Sequence, residues 1–347
     1  MPINQALGFG VELECYLPEG RSMAQAAAAV AARIGEPVHV ESYNHQLRPA
    51  WKVVTDGSLG HAGRGAEFVS PVLFGDAGLA QVDAVCEALT DFGCTVNHHC
   101  GLHIHVGVAN APLTFFKTLS KFYGIFEPVI DGMMPNSRRA STNTYCRSVT
   151  SASPAQIDRA TSLADLINTA TPAMGTETRY YKLNLAAFNR HRTVEFRQHS
   201  GTLDGEKVVN WTRLCLKMVD AALRGISLGI AATAERPRNR ARIGTKVHTV
   251  VEMLLRPEGV TRTQINDAVN WPSISIAQIA ERNNLTITTQ RTGRETRYFT
   301  NAAAAAATPS LPVTLASFCE LIGANDNERT YMTDRTRKLS GPIEWAA

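Results

Sequence analysis

Residues 8–15 read Gly-Phe-Gly-Val-Glu-Leu-Glu-Cys, and the alternation inside this stretch decides the fold. Successive side chains of a strand point to opposite faces. Val11 and Leu13 therefore take one face, and Glu12 and Glu14 take the other. Residues 101–108, Gly-Leu-His-Ile-His-Val-Gly-Val, repeat the design with His103 and His105 opposite Leu102, Ile104 and Val106. Residues 192–200, Arg-Thr-Val-Glu-Phe-Arg-Gln-His-Ser, place Glu195, Arg197 and His199 opposite Val194 and Phe196. Glu67, beside Phe68 and Val69, begins the same pattern. One face of each strand is fit to pack on helices. The other carries carboxylates, imidazoles and guanidinium.

Carboxylates gathered on one sheet face repel each other and raise each other's pKa unless a cation lies among them. Oxygen-rich sites with few histidines suit Mg²⁺ or Mn²⁺. Arg197 keeps its proton and can meet a phosphate, so the set points to phosphoryl chemistry. Each motif alone has a plainer reading. A Glu-x-Glu strand is ordinarily a solvated face, and a Glu-x-Arg pair is ordinarily a cross-strand ion pair. The force lies in the combination. A zinc hydrolase draws on His98, His99, Cys100, His103 and His105, but His98 and His99 lead into a predicted turn before Gly101.

The remaining chain frames these strands. Helices are predicted over 21–34, 78–92, 112–130, 154–169 and 204–225, the last with Asp204 as N-cap. Strands are predicted over 51–55, 66–70 and 180–188. Residues 231–244, Ala-Ala-Thr-Ala-Glu-Arg-Pro-Arg-Asn-Arg-Ala-Arg-Ile-Gly, read as a linker between a catalytic domain at 1–230 and a second domain at 245–300. That second domain shows three helices and a hairpin around Arg291–Glu295, a winged-helix order. Residues 301–347, opening on an alanine run, read as a C-terminal tail.

Residues 236–300 hold 11 Arg or Lys against 5 Asp or Glu, while the whole chain carries +4, so the rest is slightly acidic. Arg291 and Arg294 at the hairpin tip are candidate nucleic-acid contacts. A protein-contact or substrate-presenting role is the alternative for this domain. Seven cysteines without a disulfide-like spacing point to a reducing, cytoplasmic setting. The sequence shows neither a signal-peptide layout nor an apolar run of membrane-spanning length.

The motifs GVELE, DGS with EFVSP (56–71), CGLHIHVG (100–107), YKLNL (181–185) and TVEFRQHSGTLD (193–204) together resemble the amidoligase family. This is a branch of the carboxylate–amine ligases with a glutamine-synthetase-like catalytic fold. The resemblance implies an α+β chain whose curved antiparallel sheet is packed by helices and holds ATP as co-substrate with Mg²⁺ or Mn²⁺. It also implies amide formation through an acyl phosphate from a small-molecule, peptide or protein carboxylate and an amine. By position it gives metal ligation to Glu12, Glu14, Glu67, His103 and Glu195, and catalytic roles to Glu195, Arg197 and Glu67. It gives the phosphate contact to Arg197 and further nucleotide or substrate contacts to His105 and Asp56. Lys182 and Asn184, on the strand before Glu195, and Arg147, in a basic loop, are further candidates for such contacts, with ordinary sheet-surface polarity and a solvated loop as their plainer readings. No Walker A motif or Gly-x-Gly-x-x-Gly strand turn occurs, so metals and side chains must hold the nucleotide. The competing readings are a nucleic-acid-binding regulator with a non-catalytic sheet domain, and a phosphotransferase to an amino or guanidino group.

Overall fold

A computed structural model describes residues 2–59, 64–149, 152–170, 178–226, 246–256, 259–271, 274–282, 285, 287–292, 295–300 and 313–340. The expected linker at 231–244 and Arg294 lie outside these residues. The chain divides into two compact units. The first comprises 1–152, 160–226 and 313–347, and the second 153–159 and 227–312.

The first unit is built on a mixed sheet. Its strands are β1 (Gly8–Tyr16), β2 (Val38–Glu41), β3 (Trp51–Thr55), β4 (Gly65–Val69), β5 (Leu73–Phe74), β6 (Gly101–Gly107), β7 (Leu183–Asn184) and β8 (Thr193–Ser200). The order is β2-β3-β4-β1-β6-β8-β7, with β5 on the start of β1. β1 is flanked by antiparallel partners on both sides, β4 and β6. Phe9, Val11, Leu13 and Cys15 are buried on its apolar face. Four helices pack in a row: α1 (Met23–Ile34), α2 (Gly75–Phe92), α7 (Gly205–Leu223) and α3 (Leu113–Gly132), with α7 also packing on β6. Ser22 and Gln25 form a capping box on α1, and Gly35 ends it in the left-handed region. Asp204 caps α7 as expected, accepting from the Lys207 amide.

The sheet departs from the expected all-antiparallel arrangement in one place. β2 pairs parallel to β3. Parallel neighbours need a connection that returns along the strands. Residues 42–50 make that return as a short strap.

Three other expectations change. The strand expected over 180–188 shrinks to Leu183–Asn184, because residues 187–191 turn into a short helix, α6 (Ala187–His191), which ends at Arg192 with φ 57°. The helix expected over 154–169 is two pieces, α4 (Pro154–Arg159) and α5 (Leu163–Ala170), with the Ser162 hydroxyl accepting from the Asp165 amide at the second start. The expected tail at 301–347 contains two ordered helices, Leu315–Leu321 and Asp326–Ser340. They return to the first unit. Phe318 lies 5.7 and 5.5 Å from the rings of Phe122 and Phe126, and Lys217 Nζ meets Glu328 at 2.6 Å in a buried pair. The alanine run masked this segment. Thr314, the N-cap with Ser317, and the apolar spacing Leu315, Phe318, Cys319, Ile322 are its signals.

The second unit contains α8 (Lys246–Leu254), β9 (Val260–Thr261), α9 (Arg262–Val269), α10 (Ile276–Arg282) and the hairpin β10 (Ile287–Thr292) and β11 (Glu295–Thr300). β11 lies between β10 and β9 in an antiparallel sheet. Val250, Leu254, Val260, Ile265, Ile276 and Ala280 form its core. The three expected helices and the hairpin are therefore present. Among the described residues all seven cysteines are free and buried, and no helix is long and apolar enough to cross a membrane.

Candidate functional site

The site grows from the register of β1 with its neighbours. Glu12 lies across from His103 of β6, and Glu14 across from Glu67 of β4. His105 lies across from Glu195 of β8. Directly opposed residues of an antiparallel pair share a face. Four carboxylates and two imidazoles from four strands are thereby gathered on the face opposite the apolar core of β1.

His103 is the hub. Its Nδ1 lies 3.1 Å from Glu12 Oε2 and 3.8 Å from Glu195 Oε1, and its Nε2 lies 3.7 Å from Glu14 Oε1. Glu12, His103 and Glu195 offer ligand atoms within 4.8 Å of one another, and so do Glu14, Glu67 and His103. The ring thus presents one nitrogen to each group. A neutral imidazole has a single free lone pair and carries its proton on the other nitrogen. His103 can ligate in one group only, leaving carboxylates to dominate the other. His105 Nε2 approaches Glu12 Oε1 at 3.3 Å, and its Nδ1 lies 2.9 Å from the Thr193 hydroxyl.

The carboxylates of the cluster differ in their electrostatics. Burial and repulsion from Glu12, Glu14 and Asp56 push the Glu67 carboxyl well above its ordinary range. Burial also pushes Glu12 up, yet the charge and hydrogen bonds of His105 and His103 outweigh it and leave Glu12 well below that range. Glu195 is lowered in the same way, with burial outweighed by Arg197 and His105. Burial lowers His105, and Glu195 and Glu12 more than reverse it. Arg197 forms an ion pair with Glu195 Oε1. Carboxylate-rich donors with one imidazole fit a hard divalent cation such as Mg²⁺ or Mn²⁺ better than Zn²⁺. His98 and His99 sit in a turn and belong to neither ligand group.

Two hollows open beside this cluster. One is polar and is bounded by Glu14, Asp56, Glu67, His103, Arg138 and Arg197, with Tyr43, Tyr145, Arg179 and Tyr180 around it. The other is largely apolar. Gly8, Gly10, Gly107, Leu47 and Val72 line it, together with Glu12 and His105 of the cluster. The strap at 42–50 borders both, through Tyr43 and His45 on one side and Asn44 to Arg48 on the other.

Several predicted residues fall elsewhere. His199 does not share the face of Glu195 and Arg197. A register shift in the β6–β8 pairing puts His199 opposite Leu102 and turns its ring towards Trp211, 5.5 Å away. A bulge inserts a residue and so reverses the alternation beyond it. Lys182 is fully buried between Glu127 Oε1 at 2.7 Å and Asp131 Oδ1 at 2.6 Å of α3, where it cannot reach a nucleotide. Arg147 backs the site from a bridge with Tyr181 and lines neither hollow. Asn184 stands beside the cluster, donating to Glu195 Oε2 at 2.6 Å, and Asp56 borders the polar hollow. Arg291 is exposed on β10 in the second unit.

Sequence reasoning missed Tyr43, His45, Tyr145, Arg179, Tyr180 and His191. All come from loops or a short helix end, where no period marks a side chain's direction. The glycines lining the apolar hollow did leave a signal. Gly8 and Gly10 continue the alternation of Glu12 and Glu14 backwards along β1.

Fold and site define an α+β protein whose sheet face gathers four carboxylates and two imidazoles, with an arginine beside them. The chain belongs to the amidoligase family, whose model, described as "putative amidoligase enzyme", matches residues 5–219. The matched span includes every residue of the cluster. No curated protein matches the chain. Among solved structures, the cryo-electron microscopy structure of Plasmodium falciparum glutamine synthetase aligns at 10% identity and a TM-score of 0.37, covering 97% of this chain and 73% of its own, a likeness too weak to place the fold.

Proposed function

We propose that the chain is an ATP-dependent carboxylate–amine ligase that uses Mg²⁺ or Mn²⁺. The observation that carries this reading is the pair of carboxylate–histidine groups meeting at His103, with Arg197 alongside. Glu12, Glu195 and His103 would hold one cation, and Glu14 with Glu67 a second. Bound there, the cations would neutralise the polyphosphate and polarise its oxygens.

A free carboxylate is a poor electrophile. Transfer of the terminal phosphoryl group of ATP to it gives an acyl phosphate and ADP. An amine then attacks the acyl carbon, inorganic phosphate leaves, the nitrogen loses a proton, and an amide remains. Arg197 would meet charge on the transferred group. Glu195 orients that guanidinium, and Asn184 in turn fixes Glu195. The largely apolar hollow, where Gly8, Gly10 and Gly107 stand near Glu12 and His105, would suit a flat base. The polar hollow suits the acid and amine.

The second unit has the element order of a winged helix, and we assign it a contact role. Arg291 is a candidate contact for nucleic acid or another protein.

The test is release of ADP and phosphate from ATP in the presence of mixed carboxylic acids and amines. Turnover should need the divalent ion, an acid and an amine together, and a Glu195→Gln variant should lose it while still unfolding cooperatively in chelator. ATP turnover that ignores the amine, or a phosphorylated amine as product, would reject the ligase reading.

A further inference from the structure

Arg138 occupies an unusual position on the wall of the polar hollow. It is 3% exposed, yet among the described residues no carboxylate lies within ion-pair distance of it. One terminal nitrogen donates to the Cys100 carbonyl at 2.5 Å, the other lies 4.0 Å from Cys146 Sγ, and the buried Nε has no partner. Buried guanidinium groups are ordinarily matched by an anion and a full set of acceptors. Arg179 borders the same hollow. It is exposed, stacks on Tyr180 at 4.9 Å and donates to the Tyr180 hydroxyl at 2.8 Å, and it too has no carboxylate partner among the described residues. Arg197 differs, being paired with Glu195.

The charges then sort by place. Cations among Glu12, Glu14, Glu67 and Glu195 would neutralise the carboxylates, leaving Arg138 and Arg179 as surplus positive charge in the lining of the hollow. Tyr145 and Tyr180 meet edge to face at 5.1 Å and form an apolar wall beside them. Resting on the ligase reading, we infer that the acid substrate carries a second anionic group, a dicarboxylic acid or acidic amino acid, whose non-reacting carboxylate is held by Arg138 and Arg179 while the other meets the carboxylate cluster. A terminal phosphate of the nucleotide is the other anion these arginines could take, and the test separates the two.

The experiment is calorimetric titration of the full chain in Mg²⁺ with succinate, glutarate and adipate, with monocarboxylic acids of matching length, and with ADP. The wild type should bind at least one dicarboxylate about tenfold or more tighter than its monocarboxylate counterpart. Arg179→Gln lies on the surface and should remove that preference while leaving ADP affinity within about twofold. Arg138→Lys should do the same. If that buried change prevents folding, Arg179→Gln alone decides. No dicarboxylate preference in the wild type, a preference that survives Arg179→Gln, or a loss of ADP affinity in place of acid affinity would each overturn the inference. The ligase reading fails separately. A dicarboxylate preference with no amine-dependent ADP release would leave the anion anchor standing and reject the ligase. Amine-dependent turnover of monocarboxylates with no such preference would do the reverse.

Discussion

Replacing Gly101 with alanine should disable the cation site without unfolding the protein. Gly101 is the first residue of the histidine strand β6, and its amide donates to Glu14 Oε2 at 2.6 Å. A Cβ built there would lie 2.7 Å from His103 Nε2 and 3.4 Å from Glu14 Oε2. Ordinary contact begins near 3.4 Å, so the ring must move by 3.4 − 2.7 = 0.7 Å. It has little room, being 5% exposed with Glu12 at 3.1 Å and Glu14 at 3.7 Å. Metal–ligand distances tolerate only about 0.2 Å. The displacement therefore damages the group in which His103 ligates, with Glu12 and Glu195. Divalent-ion affinity should fall by about 10–100-fold, or about 1.4–2.7 kcal/mol. Stability should hardly change. Gly101 is not among the residues at positive φ, so alanine fits the backbone and gains about 0.4–1 kcal/mol from a stiffer unfolded chain. The displaced ring costs a similar ~0.5–1.5 kcal/mol. Mn²⁺ titration followed by electron paramagnetic resonance, beside urea unfolding in chelator, reads both quantities. Wild-type Mn²⁺ affinity in Gly101→Ala would refute the role given to His103.

Other consequences are equally direct. Lys182→Met should destabilise the fold by about 3–5 kcal/mol, since it leaves Glu127 and Asp131 facing each other without their cation; adding Glu127→Gln should recover part of this, and a wild-type urea midpoint in the single variant would contradict the buried pairing. Burial lowers the His199 pKa to about 3 from 6.5. As pH falls below 6.5 the unfolded chain binds a proton that the fold refuses, so stability drops by up to ~1.4 kcal/mol per pH unit until about pH 3. His199→Phe should flatten the difference between urea midpoints at pH 7 and pH 5, and an unchanged slope would place the ring differently. Phe318→Ala should cost about 3–5 kcal/mol if the segment beyond 313 packs on α3. A midpoint equal to wild type would return that segment to the status of a tail.

Much of the cation cluster was legible because the strand period of two leaves no choice. Glu12 and Glu14, then His103 and His105, then Glu195 and Arg197 each share a face by spacing alone, and the register brings the faces together. The same rule failed at His199, since the shift between Leu102 and Ile104 reverses the alternation, and nothing in Arg-Gln-His announces a bulge. It failed at Lys182 because two carboxylates of α3 outcompete the site for its ammonium group. The parallel β2 and its strap escaped notice because Val38–Glu41 is short and half exposed. The loop residues Tyr43, Tyr145 and Arg179 reach the site through tertiary contacts that carry no period.

The central claim is that one sheet face binds divalent cations through Glu12, Glu14, Glu67, His103 and Glu195. Mn²⁺ binding stoichiometry, measured on the wild type and on Glu195→Gln, tests it most directly. The account predicts two ions per chain, and the loss of at least one in the variant, which should still unfold cooperatively in chelator. Absence of specific Mn²⁺ binding, or identical binding by the variant, would contradict it.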